Sequence, residues 1–511
     1  MNRSSLLFCC IISLLLACQP EAPEPEFIRS LDLQLNPSGH NPLGALLEVE
    51  GAVPSRLDII VKGKYGEASD VQASFDSLLS IHRVPILGLY PESNNQVVLI
   101  FKDNTNQTMA SDTINIETGA ILADLPQIQI DISRPARMSP GMNLVSYFGY
   151  SERFLPLRPF MFDAFGDIRW YLDYSQNPVM SDLFYDTGVN RLQNGNLFFG
   201  NANNDSIYEV DMLGHTLNTW GLSGYHFHHM VIEKPDGNLV VTVTDPQKPT
   251  VEDVIIELDR ETGNIVRTWD LTQSLDPARR AWPTDLADLE VDWFHANALA
   301  IDYDGYLIVS GRTQGTVKLR DDNEVVWIIA PHREWGLAGD GTNLRDKLLQ
   351  ALDRLGNPIT DQTVLDGESA HPDFDWAWYQ HSPAVMGVRR LFLFDNGDNR
   401  HYQGLGPDSY SRGVLYEIDE SEMTIQQVWE YGQENGGAGF SRVVSKIGYA
   451  RDRDNVLLSP GAVNHNGETY GLVQEVDLQT ETVYFQARVF PPTPAFGFLT
   501  FHNSQRLTLY P

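Results

Sequence analysis

Apolar and polar residues alternate in short runs along most of the chain, and turn-forming residues separate these runs. Between residues 27 and 135 the runs include "ALLEVEG", "RLDIIVKG", "NQVVLIFKD" and "DTINIET", with Gly, Pro and Asn between them. Alternation with a period of two is typical of strands that bury one face. The pattern therefore predicts a small antiparallel β-sandwich domain over residues 27–135.

Beyond this boundary one pattern recurs: two apolar strands joined by a tight turn, then a second strand pair that ends near a Trp or Tyr. Five copies begin with the segments "GVNRLQNGNLFFGN", "HHMVIEKPDGNLVVTV", "HANALAIDYDGYLIVSG", "HSPAVMGVRRLFLFDNG" and "VSKIGYARDRDNVLLSPG". Where no insertion intervenes, the copies are spaced by about 40 residues, which is typical of four-stranded propeller blades.

A sixth blade is predicted to be split between two parts of the chain. The C-terminal "AFGFLTFHNSQRLTLYP" holds one strand pair, and segments between residues 143 and 175 hold the other. Joining them closes the ring and removes its exposed sheet edges. We therefore predict an all-β fold with a six-bladed β-propeller over residues 136–511, and seven blades as the alternative. The strongest helical pattern is in "GTNLRDKLLQALDRLG", which is predicted to form an amphipathic helix.

The N-terminal residues predict a targeting signal. Arg3 precedes the apolar run "LLFCCIISLLLA", and Cys18 follows "LLA". Residues 1–17 resemble a bacterial lipoprotein signal that is cleaved before Cys18 and leaves this residue lipidated. An ordinary secretory signal is the alternative. Residues 18–26, acidic and rich in proline, would form a tether. The expected product is an exported lipoprotein, anchored in the outer membrane and facing the periplasm or the cell surface.

Cysteine content and charge narrow the possible chemistry. The three cysteines are Cys9, Cys10 and Cys18, so the mature chain is expected to offer no thiol for a disulfide, a metal or catalysis. The formal net charge of -32 argues against a nucleic-acid partner, because phosphate binding needs clusters of Lys and Arg. An anionic substrate must be bound by local cations or hydrogen-bond donors.

Histidines recur where the inner strands of the predicted propeller begin. His228 and His229 precede "MVIEKPDGN", His295 precedes "ALAIDYDGY", and His381 precedes "PAVMGVRRLF". Arg312 follows the next strand of the His295 repeat. Because inner strands begin near one mouth of the central channel, we expect these residues to converge there.

Such a set suits transfer of a sulfuryl or phosphoryl group. Donors aimed at the oxygens of the group stabilise its transition state, and a neutral imidazole can attack and carry the group. Few acidic residues lie close in sequence to these histidines, with Asp292 and Asp375 the main exceptions, which argues against Mg²⁺ or Ca²⁺. A three-histidine Zn²⁺ site is possible on residue type, but Arg312 would oppose the cation. We therefore predict no metal and no cofactor.

The other histidines and the aromatic residues have competing interpretations. A single histidine in a propeller channel is more often a hydrogen-bonded filler than a catalyst. We expect a structural or solvated role for six of them: His40, His82, His215, His332, His465 and His502. His226, His371 and His401 are left open. Trp376, Trp378 and Tyr379 fit either blade packing or an aromatic wall around the substrate.

Several motifs, in order, resemble the bacterial arylsulfate sulfotransferases that do not use phosphoadenosine phosphosulfate. In the first domain these are "NPLGALLEVEGAVPSRLDIIVKGK" and "HRVPILGLYPESNNQVVLIF"; in the propeller they are "FHHMVIEKPDGNLVV", "DWFHANALAIDYDGYLIVSGRTQG", "YQHSPAVMGVRRLFLFDNGDNR" and "VVSKIGYARDRDNVLLSPG". The resemblance covers nearly the whole mature chain. Met230 departs from the family pattern, in which an acidic residue usually follows the paired histidines.

The resemblance implies a six-bladed propeller and a ping-pong transfer of a sulfuryl group from an aryl sulfate donor to a phenolic acceptor. It implies that His381 is the nucleophile and becomes a transient sulfohistidine. His295 and Arg312 would bind the sulfuryl oxygens or assist proton transfer, as would His228, although His229 stays open for that position. The remaining predicted substrate contacts are Asn297, Trp378 and Tyr379. A hydrolase of the same fold and a non-catalytic propeller that binds anionic glycans are the alternatives.

Overall fold

The computed structural model describes residues 27–150, 157–280, 282, 284–491 and 498–510. The predicted signal of residues 1–17, the tether of residues 18–26 and the lipidation site Cys18 lie outside these residues. Within the described ranges, no helix has both the length and the apolar character needed to cross a membrane.

The first domain contains five antiparallel strands: β1 (Ile28–Leu35), β2 (Ala45–Val61), β3 (Val71–Ile86), β4 (Asn94–Lys102) and β5 (Thr108–Glu117). β2 and β3 pair along their length, with an interruption between Glu50 and Ser55. β1 pairs with the first half of β2, and β4 pairs with the second half. Buried residues alternate with exposed ones along β2, as the sequence pattern predicts.

One hydrophobic core joins this domain to the propeller. Leu47 and Leu57, from the two halves of β2, share a cluster of buried side chains with Phe160 and Phe485 of the second domain. Burial of large aromatic side chains stabilises such a junction by about 1.5–3 kcal/mol for each side chain. The sandwich is therefore packed firmly against one side of the propeller.

The remaining strands run, in chain order, as β6 (Gln127–Ser133), β7 (Met142–Tyr150), β8 (Phe160–Phe162), β9 (Ile168–Tyr171), β10 (Asn190–Arg191), β11 (Leu197–Asn201), β12 (Ser206–Val210), β13 (Thr216–Gly221), β14 (His226–Glu233), β15 (Leu239–Thr244), β16 (Val254–Leu258), β17 (Ile265–Asp270), β18 (Ala296–Ile301), β19 (Leu307–Gly311), β20 (Gly315–Leu319), β21 (Val325–Ile329), β22 (Gln350–Leu352), β23 (His381–Val385), β24 (Arg390–Asp395), β25 (Arg412–Asp419), β26 (Thr424–Tyr431), β27 (Lys446–Ala450), β28 (Asn455–Ser459), β29 (Val463–His465), β30 (Glu468–Asp477), β31 (Val483–Phe490) and β32 (Phe498–Leu507). The described residues contain two short α-helices, α1 (Leu271–Ser274) and α2 (Gln362–Leu365). Short 3₁₀ segments lie at Glu67–Ser69, Pro135–Arg137, Leu344–Lys347, Arg400–Tyr402 and Gln433–Ala438.

The strands from β7 onward form the six predicted blades. Blade one is β10–β13, blade two β14–β17, blade three β18–β21, blade four β23–β26, and blade five β27, β28, β30 and β31. Blade six joins the C-terminal strand β32 to β7, β8 and β9. The predicted all-β fold, the five repeats and the split sixth blade are confirmed, and this pairing of the two chain ends closes the ring.

Strand β6 extends blade five. It precedes the predicted domain boundary near residue 135, yet it pairs antiparallel with the outer strand β31. This pairing covers an edge that would otherwise expose unpaired backbone groups.

The predicted amphipathic helix at residues 341–356 is wrong. A 3₁₀ turn at Leu344–Lys347 is followed by β22, which pairs in parallel with β26 at the edge of blade four. Leu349 and Ala351 are buried while Gln350 and Leu352 are only partly buried, which is the period of a strand. The exposed edge of blade four supplies backbone hydrogen-bond partners, and this tertiary pairing overrides the local helical pattern.

Candidate active site

Four inner strands bring histidines together at the central channel. Interruptions in their ladders lie between Phe227 and Val231, Ala296 and Ala298, His381 and Ala384, and Phe501 and Asn503. A bulge of this kind re-aims side chains and is frequent beside active sites. The His229 ring lies 4.8 Å from that of His295 and 5.7 Å from that of His502. The rings of His381 and His502 are 6.0 Å apart.

Several residues around this cluster have left-handed backbone conformations. Positive φ angles occur at His229 (48°) and His295 (56°) within the cluster and at Glu252 (56°), Tyr379 (53°) and Ser382 (54°) beside it. This conformation is unfavourable for a residue with a Cβ atom, and such residues concentrate at functional sites. The surrounding fold therefore holds these side chains in directions that an unstrained strand would not give.

A hydrogen bond sets the tautomer of His381. Its Nδ1 lies 2.8 Å from Asn396 Oδ1 and 3.1 Å from the carbonyl oxygen of Tyr379. The Asn396 amide nitrogen donates to the carbonyl oxygens of Ser441 and Val444 at 2.8 and 3.1 Å, so its Oδ1 must face the ring. Two acceptors at Nδ1 require a proton there, and the lone pair of His381 consequently lies on Nε2.

His381 is also kept neutral. Burial lowers the pKa of its imidazole well below the usual range, and His502, Arg312 and His295 lower it further. A neutral imidazole with a free Nε2 lone pair has the form needed for nucleophilic attack. Its position at the start of β23 agrees with the sequence prediction.

His295 is positively charged, whereas His381 is neutral. Its Nδ1 lies 2.7 Å from Glu252 Oε2 and 2.7 Å from Asp292 Oδ2. Burial alone would disfavour the charged ring, but the two carboxylates outweigh this effect and raise the pKa of His295 to about 9. At neutral pH the ring is therefore an imidazolium, able to bind an anion or donate a proton.

Arg312 supplies a second cation beside His295. Its side chain is 8% exposed, and Nη2 lies 3.7 Å from Asp292 Oδ2. The backbone N–H of Arg312 donates to the His295 carbonyl oxygen at 3.1 Å. Its Nε is buried without a hydrogen-bond partner among the described residues. A buried, unpaired guanidinium donor is costly unless a ligand completes it.

Asn297 lies between blades three and four. Its amide nitrogen donates to the Gln380 carbonyl oxygen at 3.0 Å, which fixes the amide orientation. Its Oδ1 is buried, and no described residue bonds it. Asn297, His381 and His502 line one small channel cavity, to which blades two to six and the connection before blade one contribute residues. The prediction that Asn297 faces the site agrees with this placement.

His228 and His229 interact with each other. Their Nδ1 atoms are 3.1 Å apart, so one Nδ1 carries a proton and donates a hydrogen bond that the other Nδ1 accepts. Carboxylate oxygens of Asp186 and Glu252 lie 3.5 and 3.7 Å from His229 Nδ1, and both favour the proton on that atom. His228 then accepts at Nδ1 and holds its proton at Nε2. His228 Nε2 is buried without a partner in the described part of the chain.

His502 belongs to the cluster, although the sequence favours a structural or solvated role for it. It lies in β32, its Nε2 is 3.4 Å from Asp186 Oδ1, and its side chain is 8% exposed. Burial lowers the pKa of His502 to about 3, with further lowering by His229, His295 and Arg312 against the opposing effect of Asp186. The available signal was its place on the inner strand of the split blade.

Carboxylates are closer to the histidines than sequence spacing suggested. Glu252 and Asp186 lie in connections between strands. Asp186 contacts His229 and Glu252 contacts His295, and in both pairs the partners are 43 residues apart in the sequence. Two sets of described residues could hold a metal ion near the channel: His228, His229 and Glu252, and Glu252, Asp292 and His295. Neither set contains His381.

Comparison with known proteins assigns the fold and chemistry to one family. A family profile described as "Arylsulfotransferase (ASST)" matches residues 131–494, and one described as "Arylsulfotransferase Ig-like domain" matches residues 33–119. The chain belongs to the arylsulfotransferase family. It is a sulfotransferase enzyme, as the resemblance implied.

Two curated relatives cover nearly all of this arylsulfotransferase. "Arylsulfate sulfotransferase AssT" from Escherichia coli O6:H1 is 30% identical over 564 aligned positions, which cover 90% of each chain. The protein of the same name from Lelliottia amnigena is 29% identical over 562 positions, again covering 90% of each chain. The solved structure titled "Streptogramin B lyase structure" is 11% identical, and the match covers 72% of this chain and 98% of that chain with a TM-score of 0.31.

The predicted aromatic wall of this arylsulfotransferase is a buried stack. Trp282 lies with its ring centroid 5.2 Å from Trp378 and 5.5 Å from Tyr379, with interplanar angles of 27° and 28°. Trp378 and Tyr379 have no exposed surface. Trp376 packs edge-on against Phe374 at 4.8 Å in the core of blade four. The stack supports the backbone of Tyr379 beside His381, and substrate contact by Trp378 or Tyr379 stays a prediction.

The three histidines left open by the sequence are engaged with other groups. His226 is exposed, and its Nδ1 lies 2.8 Å from Asp205. His401 Nε2 lies 3.0 Å from Asp375, and His371 accepts a hydrogen bond from the backbone N–H of Asp373 at 3.1 Å. These contacts give each ring a structural role.

Proposed function

We propose that the enzyme moves a sulfuryl group from an aryl sulfate to a phenol by a ping-pong reaction, with His381 Nε2 as the carrier. The observation that supports this most directly is the hydrogen bond from His381 Nδ1–H to Asn396 Oδ1 at 2.8 Å. It leaves Nε2 unprotonated, and the lowered pKa keeps the ring neutral. Sequence matches to this family support the overall activity.

In the first half-reaction, Nε2 of His381 attacks the sulfur of the donor. The new N–S bond forms as the S–O bond to the aryl group breaks, and the electron pair of that bond goes to the aryl oxygen. His295, protonated through its 2.7 Å contacts with Glu252 and Asp292, donates its proton to this oxygen. The donor leaves as a neutral phenol, and the sulfuryl group stays on His381.

In the second half-reaction, the acceptor phenol attacks the sulfur. Its oxygen forms the new S–O bond while the N–S bond to His381 breaks, and its proton moves to His295. Both histidines regain their starting states, so the cycle needs no cofactor. Aryl oxides are better leaving groups than alkoxides, which makes a phenol suitable in both directions.

Three donors would stabilise the sulfuryl oxygens in this reaction. Arg312 and the His295 imidazolium bring positive charge, and the buried Nε2–H of His228 adds a neutral donor. Preorganised donors in a water-poor site are usually the largest contribution to catalysis of group transfer. The unpaired atoms at Arg312 Nε and His228 Nε2 support this assignment, and they favour His228 over His229 for oxygen binding.

Location is a separate proposal that rests on the sequence. We infer that the chain is exported and lipidated at Cys18, which would hold the enzyme at the outer membrane on the periplasmic or cell-surface side. The run "LLFCCIISLLLA" before Cys18 supports this inference. In cell fractionation, wild-type protein should sediment with membranes and Cys18→Ala should not; equal membrane association of both would contradict it.

The activity is tested with 4-nitrophenyl sulfate and phenol. We expect release of 4-nitrophenol coupled to formation of phenyl sulfate, and no release by His381→Ala. Inorganic sulfate in place of phenyl sulfate would assign a hydrolase of the same fold. Full activity in His381→Ala would contradict the proposed carrier.

A further inference from the structure

Glu252 lies between His295 on one side and the paired histidines His228 and His229 on the other. Its Oε2 lies 2.7 Å from His295 Nδ1 and 3.7 Å from His229 Nδ1. His229 Nδ1 in turn lies 3.1 Å from His228 Nδ1. The proposed mechanism uses Glu252 to keep His295 charged. Its approach to the paired histidines favours the proton on His229 Nδ1, and it also brings a carboxylate oxygen within reach of two imidazole nitrogens.

The paired histidines and Glu252 have the spacing of a metal site. One ligand atom from each of His228, His229 and Glu252 lies within 4.8 Å of the others. Zinc bonds of about 2.0–2.1 Å in tetrahedral geometry place ligand atoms about 3.3 Å apart. The observed separations of 3.1 and 3.7 Å bracket that value, so small side-chain shifts would complete three ligands.

We propose that His228, His229 and Glu252 form a binding site for Zn²⁺ or a similar transition-metal ion, and that the bound ion inhibits sulfuryl transfer. The inhibitory part of this inference rests on the proposed function. Two imidazole nitrogens and one carboxylate oxygen suit zinc, copper or nickel rather than Mg²⁺ or Ca²⁺, which prefer oxygen ligands.

The local charge permits a divalent ion. Carboxylates of Asp186, Glu252 and Asp292 surround the histidines, against the positive charges of Arg312 and His295. Binding requires the tautomer of His229 that carries its proton on Nε2 and leaves the Nδ1 lone pair free, so both histidines ligate as neutral imidazoles. A fourth coordination position remains for water or an oxygen of the substrate.

Inhibition follows from the shared carboxylate. A metal ion on Glu252 Oε2 draws this carboxylate toward the paired histidines and out of its ion-pair position 2.7 Å from His295 Nδ1. The same ion takes the Nδ1 atom of His228 and thereby turns its Nε2–H away from its present direction. Both changes remove groups that the transfer reaction needs.

Another acidic cluster in the protein is already filled by a side chain. Asp302, Asp304 and Glu420 also converge, but the Lys318 ammonium bonds all three at 2.5, 2.6 and 2.5 Å. That internal cation occupies the position that an ion would take. The channel cluster has no such lysine contact among its described residues, and it is the better metal site.

Metal binding is measured on the full-length enzyme without reference to activity. The protein is equilibrated with ZnCl₂, passed through a desalting column and assayed for zinc by elemental analysis. A parallel titration with CoCl₂ follows the visible absorption of four-coordinate cobalt. We expect one zinc ion per chain and a cobalt spectrum of tetrahedral type. Inhibition is measured as the initial rate of 4-nitrophenol release, with recovery on addition of EDTA.

Two variants and one control locate the ion. Glu252→Gln and His228→Gln should each weaken zinc binding by more than the roughly 10–100-fold that loss of an outer-sphere partner costs. His226→Gln is the matched control, because His226 is exposed and pairs with Asp205 at 2.8 Å outside the cluster. This variant should keep wild-type activity, zinc binding and inhibition. Melting temperatures of all variants check that each is folded.

Several results would overturn the proposal. These are the absence of stoichiometric zinc binding, undiminished binding in both folded cluster variants, and loss of binding in His226→Gln. Full activity with one zinc ion bound would overturn the inhibitory role. An inactive wild-type enzyme that still binds zinc through Glu252 and His228 would instead contradict the proposed transfer reaction and leave the metal site standing.

Discussion

Asn396 Oδ1 accepts a hydrogen bond from His381 Nδ1–H at 2.8 Å, and the Asn396 amide nitrogen is held by the carbonyl oxygens of Ser441 and Val444. This arrangement connects blade four to the loop before blade five. It determines which nitrogen of His381 is free, in the way that a carboxylate or amide fixes the tautomer of a catalytic histidine in other enzymes.

Removing the Asn396 amide should therefore damage catalysis more than binding. In Asn396→Ala, His381 loses the partner that sets its tautomer and ring orientation, and we expect kcat to fall by about 10²-fold or more with a smaller change in KM. Steady-state release of 4-nitrophenol measures both constants. Asn218→Ala is the control, because Asn218 lies on the outer strand β13 of blade one and donates a hydrogen bond to Glu209 at 2.8 Å. An unchanged kcat in Asn396→Ala would refute the orienting role.

Activity should decline in alkaline solution as His295 loses its proton. The carboxylates of Glu252 and Asp292 raise the pKa of His295 to about 9, so the acid form persists at neutral pH and is lost as pH rises through about 9. Glu252→Gln removes one of these charges and should shift the alkaline limb of kcat/KM to lower pH. A limb at the same pH in both proteins would show that another group controls it.

The same raised pKa makes His295 a stabilising group at neutral and acidic pH. Its folded-state pKa lies above the unfolded value of about 6.5, so its contribution to the free energy of unfolding is complete below that value and disappears as pH rises through about 9. Urea unfolding of wild type and His295→Gln at pH values from about 6 to 10 should show a steeper alkaline loss for wild type. Parallel curves would contradict this contribution.

His502 should have the opposite effect on stability. Burial lowers its folded-state pKa to about 3, while in the unfolded chain it titrates near 6.5. Between these values the unfolded state binds a proton that the folded state does not, so stability falls as pH decreases. Replacing His502 by Gln should reduce this acid-side loss, as measured by urea unfolding at about pH 7 and about pH 5. An equal loss in both proteins would contradict the buried neutral state.

Substitutions at His228 should lower kcat according to whether the new side chain can donate a hydrogen bond. If His228 Nε2–H binds a sulfuryl oxygen, His228→Ala should lower kcat by about 10²–10³-fold, as for loss of an oxyanion donor. His228→Gln should recover part of the rate, because its amide can also donate a hydrogen bond. Equal kcat values for the Ala and Gln variants would argue that His228 acts only by filling space.

The sequence predicted the fold and the inner-strand residues because both follow the repeat. Strand pairs joined by tight turns gave the blades, and His228, His295 and His381 lie where inner strands begin. Joining the chain ends in one blade was predictable from the need to cover sheet edges. The helix at residues 341–356 was not excluded, because its apolar spacing also fits a 3₁₀ turn followed by a strand.

The partners of these histidines could not be predicted from spacing. Glu252 and Asp186 lie in connections between strands, and only the closed ring brings them to His295 and His229. Asn396 belongs to an Asn-Gly turn that the sequence pattern explains equally well as a hairpin connection. His502 comes from the C-terminal strand, and its place in the channel depends on where that strand docks. Side-chain charge states require this three-dimensional information.

The central claim is that His381 carries the sulfuryl group. The most direct measurement is mass spectrometry of the proteolysed enzyme after reaction with 4-nitrophenyl sulfate in the absence of acceptor, under conditions that preserve a nitrogen–sulfur bond. We expect one sulfuryl group on His381, lost on addition of phenol with formation of phenyl sulfate. A sulfuryl group on another residue, or turnover by His381→Ala at the wild-type rate, would contradict the account.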